Sequence, residues 1–294
     1  MRDVEKLTEE LATALVADQF PRFAHLPVEL LRPGGHDNRT FRLGTELTIR
    51  LPTDDGYVAG ELKEQAGLAQ LAPQLPLPIP EVVGQGVPAP EFLRPWSVRR
   101  WIAGETPTLA RIDDFARFAG DLAAFLTALR GAGTTGAPAA GVQSFHRGAH
   151  PRAYDDETRS TIQHLRDEID VPRVTAVWER ALDSEWPGAP VWFHGDVARG
   201  NLLVAGGRLG GVIDFGTSGV GDPACDTVIA WTLLPDDAAR CYRDVLGLDD
   251  DSWDRGRGWA LWKALITIAE HRDSDPAIAD EARGVMRRVL DRAF

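Results

Sequence analysis

Two runs in the second half of the chain limit its possible folds more than anything else in it. VWFHGDVARGNLLV, residues 191–204, and GVIDFGTSGVGD, residues 211–222, each carry a polar, glycine-containing loop beside apolar, β-prone segments. Short strands of this kind hold a loop at its ends, so the polar side chains between them keep set positions. His194, Asp196 and Asn201 stand at offsets 0, +2 and +7, and Asp214-Phe215-Gly216 follows thirteen residues after the asparagine.

The rest of the chain divides by pattern. Residues 4–18 place Leu7, Leu11, Leu15 and Val16 at helical spacing, with Thr8 as a cap. From Pro27 to Pro52 the runs PVELLRP, RTFRLG and ELTIRLP are separated by GGHDN and by Gly44-Thr45, which predicts three antiparallel strands joined by tight turns. A helix over about 57–72 stops before PQLPLPIPEV, and PEVVGQG and PWSVRRWI complete a five-stranded antiparallel sheet with one main helix. Beyond Gly104 the patterns are helical, at about 111–129, 155–168 and 173–184, around a β-rich island at 190–216, with more helices to the C-terminus. The expected fold class is therefore α+β: a small lobe with a sheet, a connector near 99–104, and a larger, mostly helical lobe.

Composition removes several classes of function. The 294 residues are 44% hydrophobic, enough for a sizeable core. Lys and Arg number 32 against 44 Asp and Glu, a net charge of -12 that repels phosphate backbones and argues against a nucleic-acid partner. Cys225 and Cys241 have no CxxC or histidine pattern around them and read as reduced thiols. The first twenty residues are charged and amphipathic rather than a signal peptide, and no run approaches the ~18 apolar residues of a membrane span, so a soluble cytoplasmic protein is expected. GAGTTG at 131–136 matches a dinucleotide-binding pattern letter for letter. A helix ending in FLTALR precedes it where a strand is required, so a helix terminus and a loop are expected there.

The set formed by Asp196, Asn201 and Asp214 suits phosphoryl transfer, which needs a metal held against phosphates and a hydroxyl aimed at phosphorus more than it needs covalent help. Asp196 would take the proton of the acceptor hydroxyl, and Asn201 and Asp214 would offer hard oxygen ligands to Mg²⁺. His194 reads as a structural hydrogen-bonding residue and Arg199 as a surface ion-pair partner. His146, His150 and His271 lack metal-ligand spacing, and Trp253, Trp259 and Trp262 fall at near-helical spacing and read as core.

HGDxxxxN followed by IDFG resembles the aminoglycoside phosphotransferase family, antibiotic and small-metabolite kinases with a two-lobed protein-kinase-like fold. Gly195, where eukaryotic protein kinases carry Arg, and the run from Gly219 to Asp226 in the place of GxGDPxxD are similar to the small-molecule branch. The resemblance spans nearly the whole chain from about residue 28. It implies a nucleotide-binding lobe over 1–98, a hinge over 99–104, and a helical lobe over 105–294 with the catalytic loop and substrate site. It further implies that the phosphate-covering loop falls on Gly34, Gly35, His36, Asp37 and Asn38, with Gly35 against the nucleotide. Arg50 of TIRLP falls where protein kinases carry the phosphate-pairing Lys, and its partner would be Glu64, with Glu61 the alternative. Main-chain groups of Arg100 and Ile102 would meet the adenine edge, while Asp222 and Asp226 would brace the loop and cap the following helix.

The implied activity is transfer of the γ-phosphate of ATP or GTP, with Mg²⁺, to a hydroxyl of a small molecule. The -12 charge, with Asp155, Asp156, Glu157 and Glu270 as candidate liners, favours a cationic acceptor of the aminoglycoside type. Macrolide, choline-like, fructosamine and homoserine acceptors are the alternatives. So is a nucleotide-binding regulator without turnover, against which stands the presence of all three of Asp196, Asn201 and Asp214.

Overall fold

The computed structural model describes residues 6–32, 37–107 and 111–292, and the chain divides into two compact units: Met1–Gly104 with Gly211–Gly216, and Glu105–Gly210 with Thr217–Phe294. The first unit opens with helix α1 (Glu9–Gln19). Its first turn is set by the cap the sequence offers: the Thr8 hydroxyl accepts the Leu11 N–H at 3.3 Å. Strands β1 (Val28–Leu30), β2 (Asn38–Leu43) and β3 (Leu47–Pro52), helix α2 (Val58–Leu71) and strands β4 (Val82–Gly86) and β5 (Trp96–Arg100) follow. The sheet has the order β1-β2-β3-β5-β4 and every pairing is antiparallel.

Register decides what each face of this sheet carries, because side chains alternate with period two. Phe41, Ile49 and Val98 lie abreast, and with Leu43, Leu51 and Trp96 they form one apolar face packed with Leu15 and Val16 of α1. Burying each such side chain is worth about 1.5–3 kcal/mol, enough to fix the register. Thr40, Arg50 and Ser97 lie abreast on the opposite face, next to the Thr48–Arg99 pair. That face is polar, and α2 contributes the buried Glu61 and Glu64.

The second unit carries α3 (Phe115–Gly131), α4 (Asp155–His164), α5 (Val171–Leu182), the short strands β6 (Val191–Phe193), β7 (Leu202–Ala205), β8 (Arg208–Val212, its end crossing into the first unit) and β9 (Gly219–Gly221), and helices α6 (Ile229–Thr232), α7 (Asp236–Leu246), α8 (Asp250–His271) and α9 (Pro276–Asp291). The Asp114 carboxylate accepts the Arg117 N–H and fixes the start of α3, whose buried face is Phe118, Leu122, Phe125 and Leu129. GAGTTG begins on the last residue of α3, and no strand precedes it. β6 pairs antiparallel with β9, so the loop after Phe193 and the segment before Gly219 are tied at one ladder. β7 and β8 form a hairpin across Gly206 and Gly207, whose φ values of 56 and 76° suit a turn that needs left-handed backbone at both positions. Trp253, Trp259 and Trp262 of α8 are buried. Cys225 and Cys241 are free thiols, and no described helix is long and apolar enough to cross a membrane.

Candidate functional site

Buried carboxylates persist only when paired, and Glu61 and Glu64 are each 2% exposed. Glu64 Oε2 accepts from Arg50 Nη1 at 2.8 Å and from Arg99 Nη1 at 2.9 Å, while Oε1 accepts the main-chain N–H of Phe215 at 2.7 Å. Glu61 pairs with Arg99 Nη2 at 2.5 Å, and Arg99 Nε donates to Ser97 Oγ at 2.8 Å. Arg50 reaches further, to Asp214 Oδ1 at 2.8 Å through Nη2. The Asn38 amide oxygen, in the orientation its hydrogen bonding demands, accepts from Arg50 Nε at 3.0 Å and Nη2 at 2.9 Å.

The electrostatics follow from this packing. Burial works against the Arg50 charge, but Glu64 and then Asp214 outweigh it and raise its pKa above the ordinary arginine value. Glu61 is pushed up by burial and pulled down further by Arg99 and Arg50, so its carboxyl ends below the usual range. Burial lowers the Lys63 ammonium to about 8 although Glu64 and Asp214 oppose the shift. Asp214 itself has φ of 67°, left-handed backbone that a β-carbon makes costly, beside the Glu64 contact of Phe215 and its own pair with Arg50.

Of the main-chain groups expected to meet a nucleobase, the N–H of Arg100 is taken by the Glu81 carbonyl at 2.8 Å, and that of the neighbouring Trp101 by the Glu46 carbonyl at 2.8 Å. Ile102 packs over the strand after Leu209: a Cβ on Gly211 would come within 2.8 Å of Ile102 Cγ2 and 3.2 Å of the Pro78 carbonyl. The close approach leaves Gly211 no room for a side chain. Gly35 lies outside the described residues.

In the second unit, the loop after β6 is gripped from beneath. Asp226 is 3% exposed and accepts the His194 N–H at 2.9 Å and the Gly195 N–H at 2.7 Å, one with each oxygen. Burial raises its pKa, an effect that His194 and these two N–H groups oppose. His194 is fully buried, and its Nδ1 accepts the Asp196 N–H at 3.2 Å, which fixes that nitrogen as the unprotonated one. Gly195 has φ of 85°, and a Cβ there would stand 2.9 Å from the Thr217 carbonyl, so the position is closed to other residues. Asp196 is exposed, and the Asn201 amide donates to its Oδ2 at 2.7 Å and to its carbonyl at 2.9 Å. Asp222 caps the turn after it through the Ala224 N–H and pairs with the buried Arg255 at 2.7 Å.

The remaining candidates have structural partners. Arg199 forms an exposed pair with Glu281 at 3.3 Å. Asp155 accepts from Trp178 Nε1 at 2.7 Å and pairs with Arg159, and Glu157 accepts from Trp262 Nε1 at 2.6 Å. Two of the acids expected to line a substrate site thus join helices. Among the described residues no three His, Cys, Asp or Glu side chains form a metal cluster. Arg99 was given no role by motif, although strand alternation through WSVRR does place Ser97 and Arg99 on one face, and Asn38, expected in the phosphate-covering loop, holds Arg50 instead.

Solved structures share this architecture across almost their full length. The GDP complex of wild-type aminoglycoside 2'-phosphotransferase-IIIa has a TM-score of 0.72 at 18% identity, covering 96% of this chain and 98% of that one. The gentamicin–APH(2")-IIa complex has a TM-score of 0.65 at 19% identity, with 98% and 97% covered. The macrolide 2'-phosphotransferase MphH from Brachybacterium faecium has 0.60 at 18%, with 97% and 99% covered. The uncharacterized protein YcbJ of Bacillus subtilis (strain 168) is 28% identical over 164 residues, 53% of this chain, and the match spans about half, 48%, of that relative. The family model described as phosphotransferase enzyme family, APH, matches residues 29–259, a stretch that holds Arg50, Glu64, the Asp196 loop and Asp214 together, and by that match the chain belongs to this family.

Proposed function

We propose that the chain is a small-molecule O-phosphotransferase that moves the γ-phosphate of ATP or GTP to a hydroxyl. The observation that carries this is Arg50, a cation that holds Glu64 and Asp214 at once, each at 2.8 Å. A planar guanidinium with several donors is suited to phosphate oxygens, and Glu64 gives it a fixed direction. Residues 1–98 would hold the nucleotide, with 99–104 as the hinge and 105–294 carrying the Asp196 loop and the acceptor. The division of compact units at Gly104 supports that assignment. Arg100, through its carbonyl, and Ile102 would meet the base, and Gly35 the phosphates. Nucleoside triphosphate as co-substrate suits a cytoplasmic enzyme.

Asp196 would accept the proton of the acceptor hydroxyl as it attacks phosphorus. Its carboxylate is exposed and oriented by Asn201, and its main-chain N–H is tied to His194. Each taken by itself suits Mg²⁺: Asp214 would offer a carboxylate, and Asn201, whose amide nitrogen faces Asp196, would offer its carbonyl oxygen. When bound, Mg²⁺ neutralises charge on the phosphates.

An aminoglycoside-type acceptor is supported by the -12 charge, while Asp155 and Glu157, engaged by indole N–H groups, add less to it than their position in the sequence suggests. The test is ADP and GDP release with Mg²⁺ across aminoglycosides, macrolides and small hydroxylated metabolites, beside calorimetric titration of each nucleotide. Nucleotide binding with acceptor-dependent turnover is the expected result. Binding with no turnover on any acceptor would favour a regulator.

A further inference from the structure

We infer that Arg147 is a specificity-determining residue, and that the acceptor, against the cationic class that the net charge of -12 taken alone favours, carries an oxyanion, a carboxylate or phosphate ester, beside the hydroxyl that is phosphorylated. The inference rests on the phosphotransferase reading for the role of Asp196. The first observation is position. A Cβ on Gly195 would lie 3.1 Å from Arg147 Cβ, so Arg147 adjoins the residue before Asp196.

The second is charge. The Arg147 guanidinium lies over the rings of Trp259 and Trp262, 5.1 and 4.8 Å from their centroids, and Nη1 donates to the Phe145 carbonyl at 3.1 Å. Among the described residues no carboxylate is ion-paired with it, in a chain with 44 acidic residues. A half-buried cation held by ring faces, the Phe145 carbonyl and the Tyr154 hydroxyl, with no carboxylate among the described residues paired to it, keeps guanidinium donors for an anion that arrives from outside.

The third is the backbone that carries it. Phe145 and His146 have φ values of 48 and 56°, two consecutive left-handed residues that are not glycine. The turn is held because Arg147 Nη1 and the Tyr154 hydroxyl, at 3.0 Å, both donate to the Phe145 carbonyl. Tyr154 is in turn stacked on Trp262 with centroids 4.2 Å apart. These contacts hold Arg147 in one place beside Gly195, next to the loop of Asp196 where the acceptor's hydroxyl would arrive.

The experiment compares wild type with Arg147→Met, which keeps a stem on the indoles without the charge, and Arg147→Lys. Glycerate, glycerol phosphate and uncharged glycerol are titrated by ligand-observed NMR, and the same compounds with homoserine, kanamycin and erythromycin are offered as acceptors with Mg²⁺ and ATP. The anions should bind wild type roughly tenfold or more tightly than Arg147→Met, with Arg147→Lys between them, because a charge-assisted bond to an oxyanion is lost. Anionic hydroxyl compounds should show the lower KM in wild type. Arg147→Met should raise that KM while the dissociation constant of ADP stays the same. Equal anion binding by wild type and Arg147→Met would overturn the inference, as would preference for kanamycin or glycerol unchanged by the substitution, or a loss of ADP affinity in its place. Failure of wild type to bind ADP would sink the phosphotransferase reading, and the anion titration would still decide Arg147.

Discussion

Arg50 and Asp214 are 164 residues apart in the chain and ion-paired at 2.8 Å, Nη2 to Oδ1. The same guanidinium donates to Glu64 and Asn38, so its fork is satisfied by protein groups. A phosphate that reached Arg50 would therefore compete with Asp214 and Asn38 for the same guanidinium.

Arg50→Ala should weaken nucleotide binding by roughly ten- to hundred-fold, the effect of losing about 1.5–3 kcal/mol of charge-assisted hydrogen bonding. Glu64 keeps Arg99 and the Phe215 N–H, so the fold survives. Position on the third strand alone suggests that Arg50→Lys recovers most of the loss. The four contacts of the fork show why recovery should be partial: an ammonium cannot span Glu64, Asp214 and Asn38 together. Titration of the three proteins with a fluorescent nucleotide checks both points, and equal affinities would move the phosphate role to another cation.

Arg99 tests the buried side of the same cluster. Arg99 and Glu61 side chains are 3 and 0% exposed, so Arg99→Met leaves a buried carboxylate unpaired and should cost about 3–5 kcal/mol. The double variant Arg99→Met with Glu61→Leu removes both charges and should regain much of that. Urea unfolding of wild type, both single variants and the double variant measures the coupling. Additive losses would show that the pair does not hold this face together.

These residues also mark what a sequence can disclose. The first three antiparallel strands were legible because Gly44-Thr45 and the alternation in TFRLG and LTIRL specify turns and faces, whereas the order of the last two, with β5 beside β3, was not; the Asp196–Asn201 spacing stands out in any composition. Arg99 was not, because next to Arg100 it looks like an exposed strand end, and only the Thr48–Arg99 register turns it toward Glu61 and Glu64. Asp155 and Glu157 looked like free surface acids, since their indole partners lie 23 and 105 residues away in the chain. Arg147 follows two left-handed residues that are not glycine, a conformation no local propensity signals.

Lys63 gives a pH signature. Burial lowers its folded pKa to about 8 from an ordinary value of 10.5. Between these values the unfolded chain holds a proton that the folded chain lacks, so this residue's contribution to stability rises with pH across the window. Below about 8 both states are protonated and the burial penalty is at its greatest. The stability of wild type minus that of Lys63→Met should therefore increase between about pH 7.5 and about pH 9.5 in urea unfolding. A difference that stays flat or falls would show that the ammonium is not desolvated.

Asp196→Asn separates placement from proton transfer. The substitution keeps size and leaves the main-chain bond to His194 Nδ1 in place, and the Asp226 contacts with His194 and Gly195 do not involve the side chain that changes. Asn201 can still donate to an amide oxygen at that position, so the loop should keep its shape and the nucleotide its affinity. What the amide cannot do is accept a proton from the attacking hydroxyl, and removal of a general base lowers turnover by roughly 10² to 10⁴. The measurement is kcat on an active acceptor beside the nucleotide dissociation constant. A fall in kcat with unchanged nucleotide binding supports the base, whereas equal loss of both would mean that Asp196 shapes the site rather than moving the proton, and an unchanged kcat would assign the base elsewhere.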